Sequence, residues 1–197
     1  MDKPRIEVTA GAFILGAAML LLLPLRWVIG AMLAAAVHEL WHYAAIRICG
    51  GEVFEIRIGA GGAELVTLPQ SHGRELLCAA AGPIGSFSLL LAARFLPVTA
   101  VCALVQGIFN LLPLFPLDGG RVLRSSLQLM FPRRGRKAYL RVEQICLALF
   151  AAVGICLVVR TGISLMSLLL ALILVLRLLR QKNTLQRYES GGTIETE

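Results

Sequence analysis

His38-Glu39-Leu40-Trp41-His42 is the stretch of this sequence whose residue types and spacing carry the most chemistry. Two imidazoles at i and i+4 share one face of a helix, one turn apart, where they can bind a single Zn²⁺ at about 2.0–2.1 Å each. Glu39 lies beside the pair, within reach of a water at the metal, as a general base must be. The alternative is a chance match, with both histidines as satisfied core residues. The surroundings weigh against it, because His38, Glu39 and His42 interrupt the otherwise apolar run from Trp27 to Ile48. An ionisable residue at membrane depth costs about 2.5–3.5 kcal/mol on insertion scales and calls for a functional reason.

A catalytic zinc takes three protein ligands and keeps one open position, so a third ligand must come from elsewhere in the chain. His72, in Pro69-Gln70-Ser71-His72-Gly73-Arg74, reads as a solvated loop residue. Asp118 is the better candidate: a carboxylate is a hard oxygen ligand, and Gly119 and Gly120 let the backbone bring it close. It follows Asn110-Leu111-Leu112-Pro113-Leu114-Phe115-Pro116-Leu117, in which each proline removes a backbone donor and breaks the helical ladder. Irregular backbone at membrane depth survives only against protein or a watery cavity, so this run is expected to open beside a polar site.

The elements that must position these residues are mostly apolar helices. The chain is 57% hydrophobic and 16% charged, against about a quarter charged in a soluble domain. Six apolar stretches read as membrane spans: Ala10 to Leu25, Trp27 to Ile48, Leu76 to Leu96, Val98 to Leu117, Val142 to Val159 and Ile163 to Leu179. Between the second and third, Glu52-Val53-Phe54-Glu55-Ile56-Arg57-Ile58-Gly59 alternates charged and apolar side chains and leads through glycines to Ala63–Leu68, the pattern of a β-hairpin. A polar, arginine-rich connection is expected from Asp118 to Arg141. The fold class is therefore an all-α polytopic membrane protein of about six transmembrane helices with a small membrane-edge β-hairpin. Its domains are a six-span unit over 1–182 and a polar, disordered tail over 183–197.

Net charge is +7, but the basic residues cluster at span ends, which fits membrane topology better than nucleic-acid binding. Of the 19 Lys and Arg residues, all but Arg26, Arg94 and Arg160 fall on one side of a six-span arrangement. By the positive-inside rule both termini are then cytoplasmic. The amino terminus mimics a secretory signal, but Leu23-Pro24-Leu25-Arg26-Trp27 lacks a small-x-small cleavage site, so the first span reads as retained. Five cysteines without C-x-x-C spacing read as small core residues, not a disulfide framework or thiolate metal site.

With these residues in view, the chain resembles the site-2 protease family of intramembrane zinc metalloproteases. The likeness rests on His38-Glu39-Leu40-Trp41-His42 and on Asn110, Pro113, Pro116, Asp118 and Gly119, which match the family's H-E-x-x-H and N-x-x-P-x-x-x-x-D-G signatures in order and spacing. Ala81-Gly82-Pro83-Ile84-Gly85-Ser86 resembles the Gly-Pro segment that often opens the family's third core span, with Ser86 where many members have asparagine. The resemblance implies one zinc per chain held by His38, His42 and Asp118, Glu39 as general base, and Asn110 and Pro116 as residues that position an extended substrate. It implies a membrane-tethered protein substrate and the lipid bilayer as partners, with room for an inhibitory membrane protein and no role for nucleic acid. Within the family the chain is most similar to the bacterial sporulation branch, which processes a sigma-factor precursor in the cell membrane, although its tail is too short for the CBS domain many members carry. Two rival classes are a catalytically inactive metal-binding membrane protein and a metal transporter. The second would need polar residues along several spans, yet the last two are almost uniformly apolar.

Overall fold

The computed structural model describes residues 4–59, 62–68 and 71–161. The chain divides after Arg136 into two units. The first contains strand β1 (Arg5–Val8), helices α1 (Ala10–Leu22) and α2 (Leu25–Ile48), strands β2 (Val53–Gly59) and β3 (Gly62–Thr67), helix α3 (His72–Ser88) with a 3-10 turn at Leu89–Ala92, and helices α4 (Pro97–Asn110) and α5 (Asp118–Met130). The second is represented by helix α6 (Gly135–Thr161), which begins at the end of the first. Among the described residues, the buried positions of α6, Gly135, Tyr139, Glu143, Leu147 and Ala151, recur every four residues.

Helix α2 packs against α3 and α4, and α3 also packs against α5. The packed face of α2 is Val28, Gly30, Ala34, His38, His42 and Ile46, close to the repeat that keeps one helical stripe in view. Leu25 follows a proline that starts the helix, and the helix ends where Gly50 adopts φ +75°. There the Gly51 N–H donates to Ile46 O at 2.8 Å and the Gly50 N–H to Arg47 O at 3.1 Å. That pair of bonds is the Schellman arrangement, and it needs a left-handed residue that glycine supplies without steric cost.

The expected hairpin is present, with β2 and β3 antiparallel, but it is part of a three-stranded sheet ordered β1-β2-β3. Strand β1 runs parallel to β2, pairing Arg5 with Glu55 and Val8 with Ile58. Four residues before the first apolar run carry no sign of a partner 50 positions away, so the local pattern revealed only the hairpin. The expected connection over 118–141 is also different: its first part is the amphipathic helix α5, whose Val122, Leu123 and Leu127 recur at helical spacing between the arginines. The expected fourth span is shorter than its apolar run, because α4 stops at Asn110 and the two prolines leave 111–117 non-helical.

Among the described residues one helix, His72–Ala92, is long and apolar enough to cross a membrane. Ala10–Leu22 and Pro97–Asn110 are apolar but shorter, and α2 has 24 residues but carries Arg26, His38, Glu39, His42 and Arg47. The expected sixth span and the 183–197 tail lie outside the described residues.

Candidate metal centre

His38 and His42 project from the packed face of α2, 2% and 5% exposed, their rings edge-on with centroids 4.8 Å apart. Asp118, 6% exposed, is the first residue of α5. What brings α5 to the site is the loss of side chains behind it. A Cβ built on Gly119 would strike the Leu111 carbonyl, and one on Gly120 would lie 2.6 Å from the Leu114 carbonyl oxygen. The first turn of α5 therefore lies directly on the backbone of the irregular run that precedes it, and its leading carboxylate is carried back to α2.

Three atoms converge there. Asp118 Oδ2 lies 3.0 Å from His38 Nε2 and 3.1 Å from His42 Nε2, and the two nitrogens are 3.2 Å apart. Each ring is fixed from behind: His42 Nδ1 is 2.7 Å from the Cys78 carbonyl oxygen and His38 Nδ1 is 2.8 Å from Ser86 Oγ, both partners on α3. A carbonyl only accepts, so His42 carries a proton on Nδ1, and in the neutral ring Nε2 is a bare lone pair. The same assignment for His38 makes Ser86 Oγ its acceptor. The atoms that meet are then three acceptors, a convergence that a shared cation relieves. Zinc fits: with bonds of about 2.0–2.1 Å, tetrahedral ligand atoms stand about 3.3–3.4 Å apart, close to the spacing found here. Among the described residues, His38, His42 and Asp118 are the group of His, Cys, Asp and Glu side chains placed to hold a metal ion.

Arg121, one turn along α5, points Nη1 at the other carboxylate oxygen of Asp118 from 3.8 Å. Gly82 of α3 faces both rings, and a Cβ there would collide with His42 and lie 2.7 Å from His38 Nε2. Glu39 is half-buried, one position beyond His38. Asn110 is half-buried at the end of α4, where its Nδ2 donates to Gln106 O at 3.1 Å. Pro116 is exposed in the loop two residues before Asp118, joined to Phe115 by a cis peptide. Neither belongs to the three-atom cluster. His72 opens α3, exposed, its Nδ1 4.0 Å from Glu75 Oε2. None of the five cysteines forms a disulfide.

Sequence reasoning left two contributors without a role. The Gly-Pro segment stood out, but nothing in it said that Gly82 faces the imidazoles. Ser86 is fully buried against His38, and a serine in an apolar helix gave no sign of which histidine it would meet.

Over 86% of its length the chain superposes on the site-2 protease from Methanocaldococcus jannaschii, with TM-score 0.61, 21% sequence identity and 86% of that chain covered. The fold is that of a site-2 protease. Residues 79–158 match the model of peptidase family M50. A second comparison aligns 109 residues at 31% identity with the zinc metalloprotease MJ0392 of the same organism, covering 48% of this chain. The match spans 32% of that relative's length. The family model thus matches 79–158 alone, and the superposition carries the fold. The family-model match includes Asp118 but not the His38–His42 motif, so within the site-2 protease fold it is the convergence of both histidines on Asp118 that joins the two.

Proposed function

We propose that this chain is a zinc metalloprotease of the site-2 protease type, hydrolysing a peptide bond of a membrane-associated protein at or within the bilayer. The observation that carries the reading is the meeting of His38 Nε2, His42 Nε2 and Asp118 Oδ2 at 3.0–3.2 Å. These three residues would hold one zinc ion. When bound, zinc supplies Lewis acidity, polarising a carbonyl and lowering the pKa of water. Glu39 would take a proton from the attacking water and return it to the leaving amine. Arg121 Nη1 stands 3.8 Å from the outer carboxylate oxygen of Asp118, and the Nδ1 bonds to Cys78 and Ser86 would keep both imidazoles facing the ion. Asn110 and Pro116, on the run that leads to Asp118, would hold an extended substrate segment.

A bilayer setting is supported by the apolar surface. Helix α1 buries none of its residues and exposes Leu21 and Leu22 by 85% and 79%, which lipid covers at no cost and water does not. The wider reading is a multi-pass protein of a bacterial cell membrane with both termini in the cytoplasm, acting on a sigma-factor precursor as in the sporulation branch. Purified protein should contain one zinc and cut a membrane-tethered substrate, while Glu39→Gln should keep the metal and lose cleavage. An active Glu39→Gln enzyme overturns the assigned base, and a wild-type protein that takes up no zinc overturns the whole reading.

A further inference from the structure

The two candidate ligands of α2 are held from behind by unequal partners. His42 is held by the main-chain carbonyl of Cys78, which only accepts and which no substitution removes. His38 is held by Ser86 Oγ, a hydroxyl that both accepts and donates and therefore tolerates either ring tautomer. We propose that Ser86 is a positioning residue for the metal centre, its hydroxyl accepting the Nδ1 proton of His38 so that Nε2 stays turned, as a lone pair, toward His42 and Asp118. The proposal rests on the metal-binding reading above.

Packing fixes Ser86 in this role. It is fully buried, and a Cβ built on Gly107 of α4 would lie 3.1 Å from its own Cβ, so α4 closes the side on which it sits. Ser88, two residues on, shows the usual alternative for a serine in a helix: its Oγ donates 2.7 Å back to Gly85 O. Ser86 meets the imidazole of another helix at 2.8 Å instead. A histidine ligand whose far nitrogen donates to a fixed acceptor has its tautomer and ring orientation set, and losing such a partner lowers metal affinity about 10–100-fold. Because the Cys78 carbonyl cannot be lost by substitution, Ser86 is the place where that effect can be measured.

The test is zinc affinity by chelator competition on purified protein in detergent, with the visible absorption of the Co²⁺-loaded form as a second readout. Ser86→Ala should bind zinc about 10–100-fold more weakly than wild type and show an altered Co²⁺ spectrum, while the metal-free protein still unfolds cooperatively, at a temperature lowered by the unpaired His38 Nδ1–H. Ser86→Thr, which keeps the hydroxyl, should restore both readouts, and Ser88→Ala should match wild type. If wild type binds one zinc and Ser86→Ala binds it equally well, the positioning role is wrong and the metal centre stands. If Ser86→Ala and Ser86→Thr weaken binding alike, packing and not the hydroxyl holds His38, and the proposal also falls. If wild type itself binds no zinc, the metal reading and this inference fail together.

Discussion

Replacing Gly82 by alanine adds a single methyl group, and the structure says where it goes. The new Cβ would overlap the His42 ring and stand 2.7 Å from His38 Nε2, whereas unstrained contact needs about 3.5 Å. His38 Nε2 must therefore retreat by about 0.8 Å, and His42 by more, or α3 must lift away from α2. Zinc sites hold their bond lengths to about ±0.2 Å, so either movement takes both nitrogens out of bonding range. Turning the rings aside is no easier, because it breaks the bonds to Cys78 O and Ser86 Oγ and leaves buried polar atoms unpaired, at about 1–3 kcal/mol each. Gly82→Ala should consequently lose zinc affinity by at least the roughly 100-fold upper range seen for a lost supporting partner. Its metal-free form should be destabilised by about 1–3 kcal/mol, as for other overpacked interiors. The matched control is Gly16→Ala on α1, where a built Cβ meets nothing within 4 Å. That change should leave zinc binding intact and stabilise the helix by roughly 0.5–1 kcal/mol. Zinc titration and denaturant unfolding in the same detergent measure both effects. A Gly82→Ala protein with wild-type zinc affinity would refute the placement of α3 over the histidines.

Removing the metal should lower stability by linkage: at free zinc 100 times its Kd, binding contributes about 2.7 kcal/mol. Thermal unfolding with and without a chelator should show that difference in wild type and none in Asp118→Ala. Gly50→Ala should cost roughly 1–2 kcal/mol, because position 50 sits at φ +75° where a Cβ crowds the following carbonyl; chemical denaturation reads it, with zinc stoichiometry unchanged. Breaking the half-buried Arg124–Glu75 pair at 3.1 Å with Glu75→Gln should cost at most about 1 kcal/mol, and a larger loss by the same denaturation would show that α3 and α5 depend on it more than its exposure allows.

The polar half of the candidate site was legible in the sequence because its residue types stand out from their background. His38, Glu39 and His42 interrupt an apolar helix, and Asp118 closes a run broken by two prolines, so each position is conspicuous by its cost. The hairpin was equally legible, since alternating Glu and Arg with apolar residues around a glycine turn is a local pattern. Long-range pairing was not. The parallel partnership of Arg5–Val8 with Glu55–Ile58 leaves no trace in either segment alone, and α5 was hidden because its arginines drew more notice than the helical spacing of Val122, Leu123 and Leu127. Ser86 carries a hydroxyl that many buried serines return to their own helix, so its partner could be read only from the fold.

The remaining part of the site lacks chemistry altogether, and it constrains the protein as tightly as the candidate ligands do. Gly82 leaves room for the imidazoles, while Gly119 and Gly120 let α5 rest on the carbonyls of Leu111 and Leu114. Any side chain at these places would push one of the converging atoms outward, and at separations of 3.0–3.2 Å the cluster has no slack to absorb it. Transferring His38, His42 and Asp118 alone onto another helical bundle would therefore place the right donors too far apart to share an ion. The capacity to hold a metal lies as much in the three absent side chains as in the three present ones, because absence sets the distance over which the present ones can act.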